Sequence, residues 1–399
     1  MIYSKNFLGP QVIITNLMKF TRLFGIIITS ILVVSVILTL FHVFSQVEKE
    51  NSKKEFFFGV SYGQNSFEEA KNIIDKVKNY TNLFIINSYP LTTNNTNPNE
   101  LNKICDYAAK SNLYFIVYFF SFKIPEVGTW QQNWIDLARQ NWGKKFLGVY
   151  LRDEPGGYQI ENGTFISGST YAEASENFVA AHSSSFSMKF LKEKNVTVFT
   201  SDFGLYYYDY LAGYDTVFAE FGWNNSRIQQ IGLCRGAANI LNKDWGAIIT
   251  WTYMHPPFIG SGEEIYEDML TAYRSGAKYL VIFDYSKEPI DGKYGILTDE
   301  HFEAMEQFWD YVNSSSDDFS IIQGKVAYAL PNYYGWAMRY PNDKIWGIWD
   351  ADEKSATIWD NLSSLEKKYG LELDIIYDDP RFDIKSNYQF VYSWNSTLN

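Results

Sequence analysis

The 399-residue chain holds only four histidines and two cysteines, and both scarcities exclude chemistry. A zinc-dependent barrel hydrolase needs several histidines converging at strand ends. Here only His255 falls near one, so neither a metal nor another cofactor is expected. Cys105 and Cys234 lie in separate helical patterns without metal-ligand spacing, and read as small buried side chains rather than a disulfide. Basic charge is also short. A net charge of -12 excludes nucleic acid as a partner, because phosphate contacts need a basic surface. No glycine-rich phosphate turn is present, and no Ser or Cys has the His base and orienting third group that nucleophilic catalysis needs.

Long apolar runs are confined to one. Residues 24–44 (FGIIITSILVVSVILTLFHVF) carry no charge over 21 positions, enough to cross a hydrocarbon core of about 30 Å as a helix. Lys5, Lys19 and Arg22 precede the run with no acidic residue among them, which places the N-terminus in the cytoplasm and the rest of the chain outside. A cleavable signal peptide ending at Val43-Phe-Ser45 is the rival. Its apolar region would be only about 7 to 15 residues long, so an uncleaved anchor in the cell membrane is expected. Eight Asn-x-Ser/Thr sequons, at Asn79, Asn94, Asn162, Asn195, Asn224, Asn313, Asn361 and Asn395, agree with an extracellular glycoprotein.

The remaining organisation follows from periodicity. Residues 1–22 form a cytoplasmic tail, 23–45 the transmembrane signal anchor and 46–55 a charged tether. From 56 to 313, eight apolar runs of strand length alternate with helix-like patterns. They begin near 56, 83, 112, 146, 196, 216, 245 and 278. Eight such units predict a (β/α)8 TIM barrel in the α/β class, in preference to a doubly wound open sheet. A polar linker (314–324) then leads to a small α/β domain (325–399) with strands near 325–331, 371–378 and 388–394 and a helix over 355–369. The 30 Tyr, 30 Phe and 12 Trp suit a large core and also sugar-binding clefts, where rings stack on pyranose faces.

A barrel's active site lies at the carboxyl ends of its strands, so the polar residues there carry the functional reading. Strand four, residues 146–155, reads Phe-Leu-Gly-Val-Tyr-Leu-Arg-Asp-Glu-Pro. Leu147, Val149 and Leu151 share one face; Gly148, Tyr150, Arg152 and Glu154 share the other, which turns polar toward the mouth. Other strand ends supply Asp202, Glu220 and Asp284 with Tyr62, Asn87, Trp223, Trp251, Tyr253, His255 and Tyr285. Carboxylates and aromatics dominate, and paired carboxylates are the means of cleaving a glycosidic bond. Glu154 is the candidate general acid/base and Glu220 its partner, with Asp153, Asp202 and Asp284 as alternative carboxylates. Asp153 also suits a helix cap. Tyr62, Asn87, Arg152, Trp223, Trp251, Tyr253, His255 and Tyr285 are the candidate substrate contacts. The competing reading is a buried structural salt bridge between Glu154 and Arg152 or another barrel cation.

The ordered strands, with Asp153-Glu154-Pro155 closing the fourth, resemble the superfamily of TIM-barrel glycoside hydrolases, clan A in particular, in which strand four commonly ends Asn-Glu-Pro. The resemblance implies a carbohydrate substrate and an acid/base role for Glu154; Asp153 replaces the usual Asn. The small C-terminal domain loosely resembles the one that follows the barrel in some β-galactosidases. The clan's nucleophile, a Glu ending strand seven, has no counterpart in Ile-Thr-Trp-Thr-Tyr-Met-His (249–255). That departure keeps an alternative open: a catalytically inactive barrel that binds surface glycans or serves as an envelope scaffold.

Overall fold

The computed structural model describes residue 35 and residues 55–94, 98–121, 130–163, 165–285, 294–314 and 321–397. The expected membrane segment lies outside the described residues apart from Ser35, which is helical. Among the described residues no helix is long and apolar enough to cross a membrane. Residues 56–399 form one compact unit.

Within that unit the chain runs β1 (Phe57–Tyr62), α1 (Phe67–Val77), β2 (Leu83–Ile86), α2 (Asn99–Lys110), β3 (Tyr114–Phe119), α3 (Trp130–Trp142) and β4 (Phe146–Leu151). Three helices follow β4: α4 (Pro155–Asn162), α5 (Tyr171–Ser183) and α6 (Phe186–Glu193). Then come β5 (Val198–Asp202), α7 (Tyr206–Leu211), β6 (Thr216–Phe221), α8 (Arg227–Leu241), β7 (Asp244–Ile249), α9 (Gly262–Arg274), β8 (Tyr279–Ile282) and α10 (Asp299–Ser314). All eight strands are parallel, and β8 pairs with β1 to close the barrel in sequence order. The Ser66–Glu69 capping box that the sequence predicts does start α1.

Aromatic rings fill the barrel's interior. Phe57 stacks on Tyr279 at 5.0 Å and Phe199 on Phe218 at 5.9 Å, with Tyr118 and Tyr150 above them toward the mouth. The outer faces of the strands pack against the helices in a separate, larger apolar cluster. In β4 the expected alternation is broken by a bulge: the pairing with β3 steps from Phe115↔Phe146 to Ile116↔Gly148, leaving Leu147 as the extra residue. Leu147 therefore packs against the inner cluster, while Val149 and Leu151 face the helices as the sequence predicts. Gly148 makes the bulge possible, having a φ of +152° and lying where a Cβ would come within 2.2 Å of the Thr197 carbonyl oxygen.

The last part of the chain forms a three-stranded parallel sheet, β9 (Val326–Leu330), β10 (Leu373–Tyr377) and β11 (Phe390–Ser393), in the order β10-β9-β11 and joined by α11 (Glu353–Tyr369). Trp336 and Trp346 are buried in the core, as is expected of most aromatics here. The sheet is fastened to barrel helix α8 by a buried ion pair. Arg235 Nε lies 2.8 Å from Asp374 Oδ1, and Arg235 also donates to the carbonyls of Ile322, Leu371 and Leu373. Asn239 and Tyr388 donate to the other oxygen of Asp374. Truncating Arg235 leaves a buried carboxylate without its counter-ion, so Arg235→Ala should cost ~3–5 kcal/mol. Urea unfolding measures this; a loss below ~1 kcal/mol would show that the sheet is held by other contacts.

Candidate active site

The polar end of β4 is built from two left-handed residues. Arg152 has φ 57° and Glu154 φ 47°, with Pro155 starting α4 immediately afterwards. Each such residue costs about 1–3 kcal/mol and persists only where the surroundings over-determine it. Here three hydrogen bonds do so. Arg152 N–H donates to Phe119 O on β3, Glu154 N–H donates to Ser201 O on β5, and the Thr200 hydroxyl donates to Arg152 O. The double turn carries Glu154 over the mouth, where β6 presents Glu220 in phase with the inward-facing Phe218.

The carboxyls of Glu154 and Glu220 face each other closely enough to interact, and two carboxyls held in this way are best accommodated when one of them carries a proton. Burial raises both pKa values: Glu154, also facing the charge of Asp153, is pushed up to about 8, and Glu220, facing Glu154, goes well above the usual carboxylate range. Glu220 is nearly buried and Glu154 more accessible. Tyr150 and Ser201 complete the group. Tyr150 Oη contacts Asp153 Oδ1 and lies 2.8 Å from Ser201 Oγ, which is 3.0 Å from Asp153 Oδ1 and 2.5 Å from Glu220 Oε1. With one hydroxyl proton each, Tyr150 supplies Asp153 and Ser201 supplies Glu220. Asp153 is exposed as a residue, yet the protein mass around its carboxyl still raises its pKa. Its carboxyl joins this network, and neither it nor Glu154 caps α4.

Among the described residues none of Asp153, Glu154 or Glu220 forms an ion pair. The Arg152 guanidinium instead lies over the Phe120 and Phe165 rings, at 5.6 and 5.4 Å, so the salt-bridge reading of Glu154 is overturned.

This has a consequence for stability. The folded protein holds the pair's proton more tightly than the unfolded chain does, so the stabilisation is fully present below pH 4.5 and is lost as pH rises through about 8. The melting temperature of the wild type should therefore fall across that window relative to a Glu154→Gln/Glu220→Gln variant. Parallel curves would contradict a proton held by the pair.

A second pair of acids sits behind the first, on the helix side of the barrel wall. Asp202 is fully buried and accepts backbone N–H groups from Gly156 (2.6 Å), Gly157 (2.9 Å), Phe203 (2.8 Å) and Gly204 (3.1 Å). It thereby anchors the first turn of α4, and a Cβ at Gly156 would lie 2.8 Å from its Oδ2. Burial, offset by these N–H groups, pushes Asp202 up to about 7. The adjacent Asp209, also fully buried, is raised well above the carboxylate range by burial and by the charge of Asp202. Neither Asp209 oxygen has a hydrogen-bond partner in the structure, so a proton on Asp209, shared with the neighbouring Asp202, is what would satisfy it. Asp202, expected as an alternative carboxylate at the mouth, is structural because β5 turns Phe199 and Ser201 inward and Thr200 and Asp202 outward.

The other expected residues divide the same way. Asp284 is buried on the outer side of β8, accepting from the N–H groups of Gly295 and Ile296, and its pKa rises to about 6 by burial. Tyr62 also faces the helices, packing on Phe84 and exchanging hydrogen bonds with Ser66. Neither reaches the carboxyl pair. Asn87 follows β2 in phase with the inward-facing Leu83 and Ile85, and its amide makes no bond within the described residues. Trp251 and Tyr285 join Phe283 in a ring cluster at the β7–β8 rim. His255 is exposed on the loop after β7, while Trp223 and Tyr253 line a separate cleft.

Several residues were not singled out from the sequence. Tyr89 and Phe120 after β2 and β3, Tyr158 on α4 and Phe165 just beyond α4 are exposed rings, with Arg152 between Phe120 and Phe165. They form an aromatic wall beside Glu154. Lying off the strand ends, they left no period-two signal to find.

No protein-family model matches the chain, and no curated protein matches its sequence. Solved structures do. The β-galactosidase from the Antarctic haloarchaeon Halorubrum lacusprofundi superposes with a TM-score of 0.54 at 10% identity, over 85% of this chain and 69% of that one. GH5_18 from Streptomyces cattleya, solved in complex with GlcNAc, gives 0.52 at 10% identity, over 85% of this chain and 98% of that one. The closed barrel and these likenesses define a TIM-barrel fold. At this identity the likeness is one of fold.

Proposed function

We propose that the protein is a glycosidase in which Glu154 and Glu220 act as a carboxyl pair. The observation that carries this reading is that the two carboxyls face each other at the barrel mouth, with no ion-pair partner for either among the described residues. A retaining enzyme works with its carboxyls ~5–5.5 Å apart and an inverting one with ~6.5–9.5 Å, so the retaining route asks for the smaller parting of this pair. Deeper burial favours Glu220 as holder of the pair's proton in the structure. A sugar ring entering between the carboxyls parts them, leaving the proton on the more accessible Glu154 and the charge on Glu220, where Ser201 donates to the anion. Glu154 then protonates the leaving glycosidic oxygen as Glu220 attacks the anomeric carbon and the C–O bond breaks. In the second half, Glu154 takes a proton from water, whose oxygen displaces Glu220. The aromatic wall of Phe120, Tyr158 and Phe165 suits sugar faces entering the mouth.

We place this activity outside the cell, tethered by residues 24–44. Support comes from the charge-free apolar run with basic residues before it and from the sequons. The asparagines at 79, 162, 195, 224, 313 and 395 are all exposed.

Release of reducing sugar or aryl aglycone from a panel of α- and β-linked glycosides tests the function. Turnover that Glu154→Gln removes supports it. Binding without turnover across the panel would favour the inactive glycan-binding barrel.

A further inference from the structure

We propose that a cleft on the β6–β7 rim is a second binding site, for a neutral oligosaccharide, distinct from the carboxyl pair. The cleft encloses about 780 Å³, within the range of small-ligand sites, and none of Asp153, Glu154 or Glu220 lines it. Three exposed rings converge there from three parts of the chain: Trp223 after β6 (45% exposed), Tyr253 after β7 (44%) and Tyr340 from the C-terminal portion (61%). Large aromatics are normally the core of a fold, and none of these three has a ring partner among the described residues. Trp223 is held outward by a left-handed backbone, φ 48°, its N–H donating to Trp251 O.

The polar lining matches hydroxyl groups. The side-chain amides of Asn224 and Asn225 make no hydrogen bond within the described residues, so each offers a donor and an acceptor. Their loop is rigid, because Arg227 donates to the carbonyls of Gly222 and Asn225 while paired with Asp268. The two asparagines also line a neighbouring cavity of about 230 Å³ that reaches Trp359 and Glu366. Glu366 Oε1 is buried without a hydrogen-bond partner, so it calls for a donor from outside the protein. Glu263 and Glu267 add further carboxylates to the lining. Exposed rings, free amides and acceptor carboxylates select a ligand with flat apolar faces and many hydroxyls. The acids repel an anionic one.

This site does not depend on the pair being catalytic, and its test is a binding measurement. Glu154→Gln, made without N-glycans because Asn224 begins a sequon, is titrated by calorimetry with cellohexaose, xylohexaose and mannohexaose, and with hexagalacturonate as the anionic control. At least one neutral hexamer should bind, with Trp223→Ala and Tyr340→Ala each weakening it about tenfold or more. A Phe390→Ala variant, altered at an exposed ring that lines neither cavity, should leave the constant unchanged. The proposal is overturned by no neutral binding at millimolar ligand, by tighter binding of hexagalacturonate, or by binding that survives loss of both Trp223 and Tyr340.

Discussion

Glu220→Gln is expected to lower kcat for glycoside cleavage by ~10²–10⁴ while the protein remains folded. The reason lies in the pairing with Glu154. Gln keeps the shape and can still receive the Ser201 hydroxyl, so neither the barrel nor the strand ends need move. It cannot carry the negative charge that attack on the anomeric carbon requires. Glu154→Gln should fall by a similar factor on substrates with poor leaving groups and by much less on aryl glycosides whose leaving group needs no proton. Because the two residues act as one unit, the double variant should be scarcely worse than the poorer single variant. Multiplicative losses would mean that the residues work independently, which their pairing forbids. Steady-state kinetics on a common substrate, with circular dichroism to verify the fold, gives the answer.

Asp202→Ala is expected to produce the largest loss of stability at the site. It deprives four backbone N–H groups of their acceptor. Each buried donor left unsatisfied costs about 1–3 kcal/mol, so a loss of at least ~3 kcal/mol is expected even after partial rearrangement. Activity should fall with it, since Gly156 and Gly157 begin the helix that follows Glu154. Asp209→Asn should behave quite differently. An amide N–H can replace a carboxylic O–H shared with Asp202, so stability should change by less than ~1 kcal/mol. Asp209→Leu removes the donor and should be several-fold more damaging in the unfolding equilibrium. If Asp209→Asn proved as harmful as Asp209→Leu, the neutral acid assigned to Asp209 would be wrong. Urea unfolding near neutral pH separates these outcomes.

The sequence made Glu154 visible, but for an incomplete reason. Period-two alternation along 146–155 put Glu154 on the inward face, yet β4 ends at Leu151 and the bulge at Leu147 had already shifted the phase. What aims the side chain is the pair of left-handed residues, Arg152 and Glu154, and local sequence does not encode that conformation for non-glycine residues. Asp202 and Asp284 stood as alternatives behind Glu220 because barrel strands are apolar on both faces, so a polar residue at a strand end does not by itself reveal its side. Only the inner cluster containing Phe199, Phe218 and Val281 fixes the phase. The eight-strand count was legible because each strand is bounded by a helix with its own period. Asp209 lies in a short tyrosine-rich helix, and its partnership with Asp202 exists only in three dimensions.

The central claim is that Glu220 attacks the sugar while Glu154 handles the proton. The most direct measurement is mass spectrometry of the protein after incubation with a 2-deoxy-2-fluoro glycosyl fluoride of the sugar that the substrate panel identifies. The account predicts a single glycosyl adduct on the peptide carrying Glu220, formed also by Glu154→Gln and absent from Glu220→Gln. An active protein that gives no adduct, or one that carries it on another residue, would contradict the account.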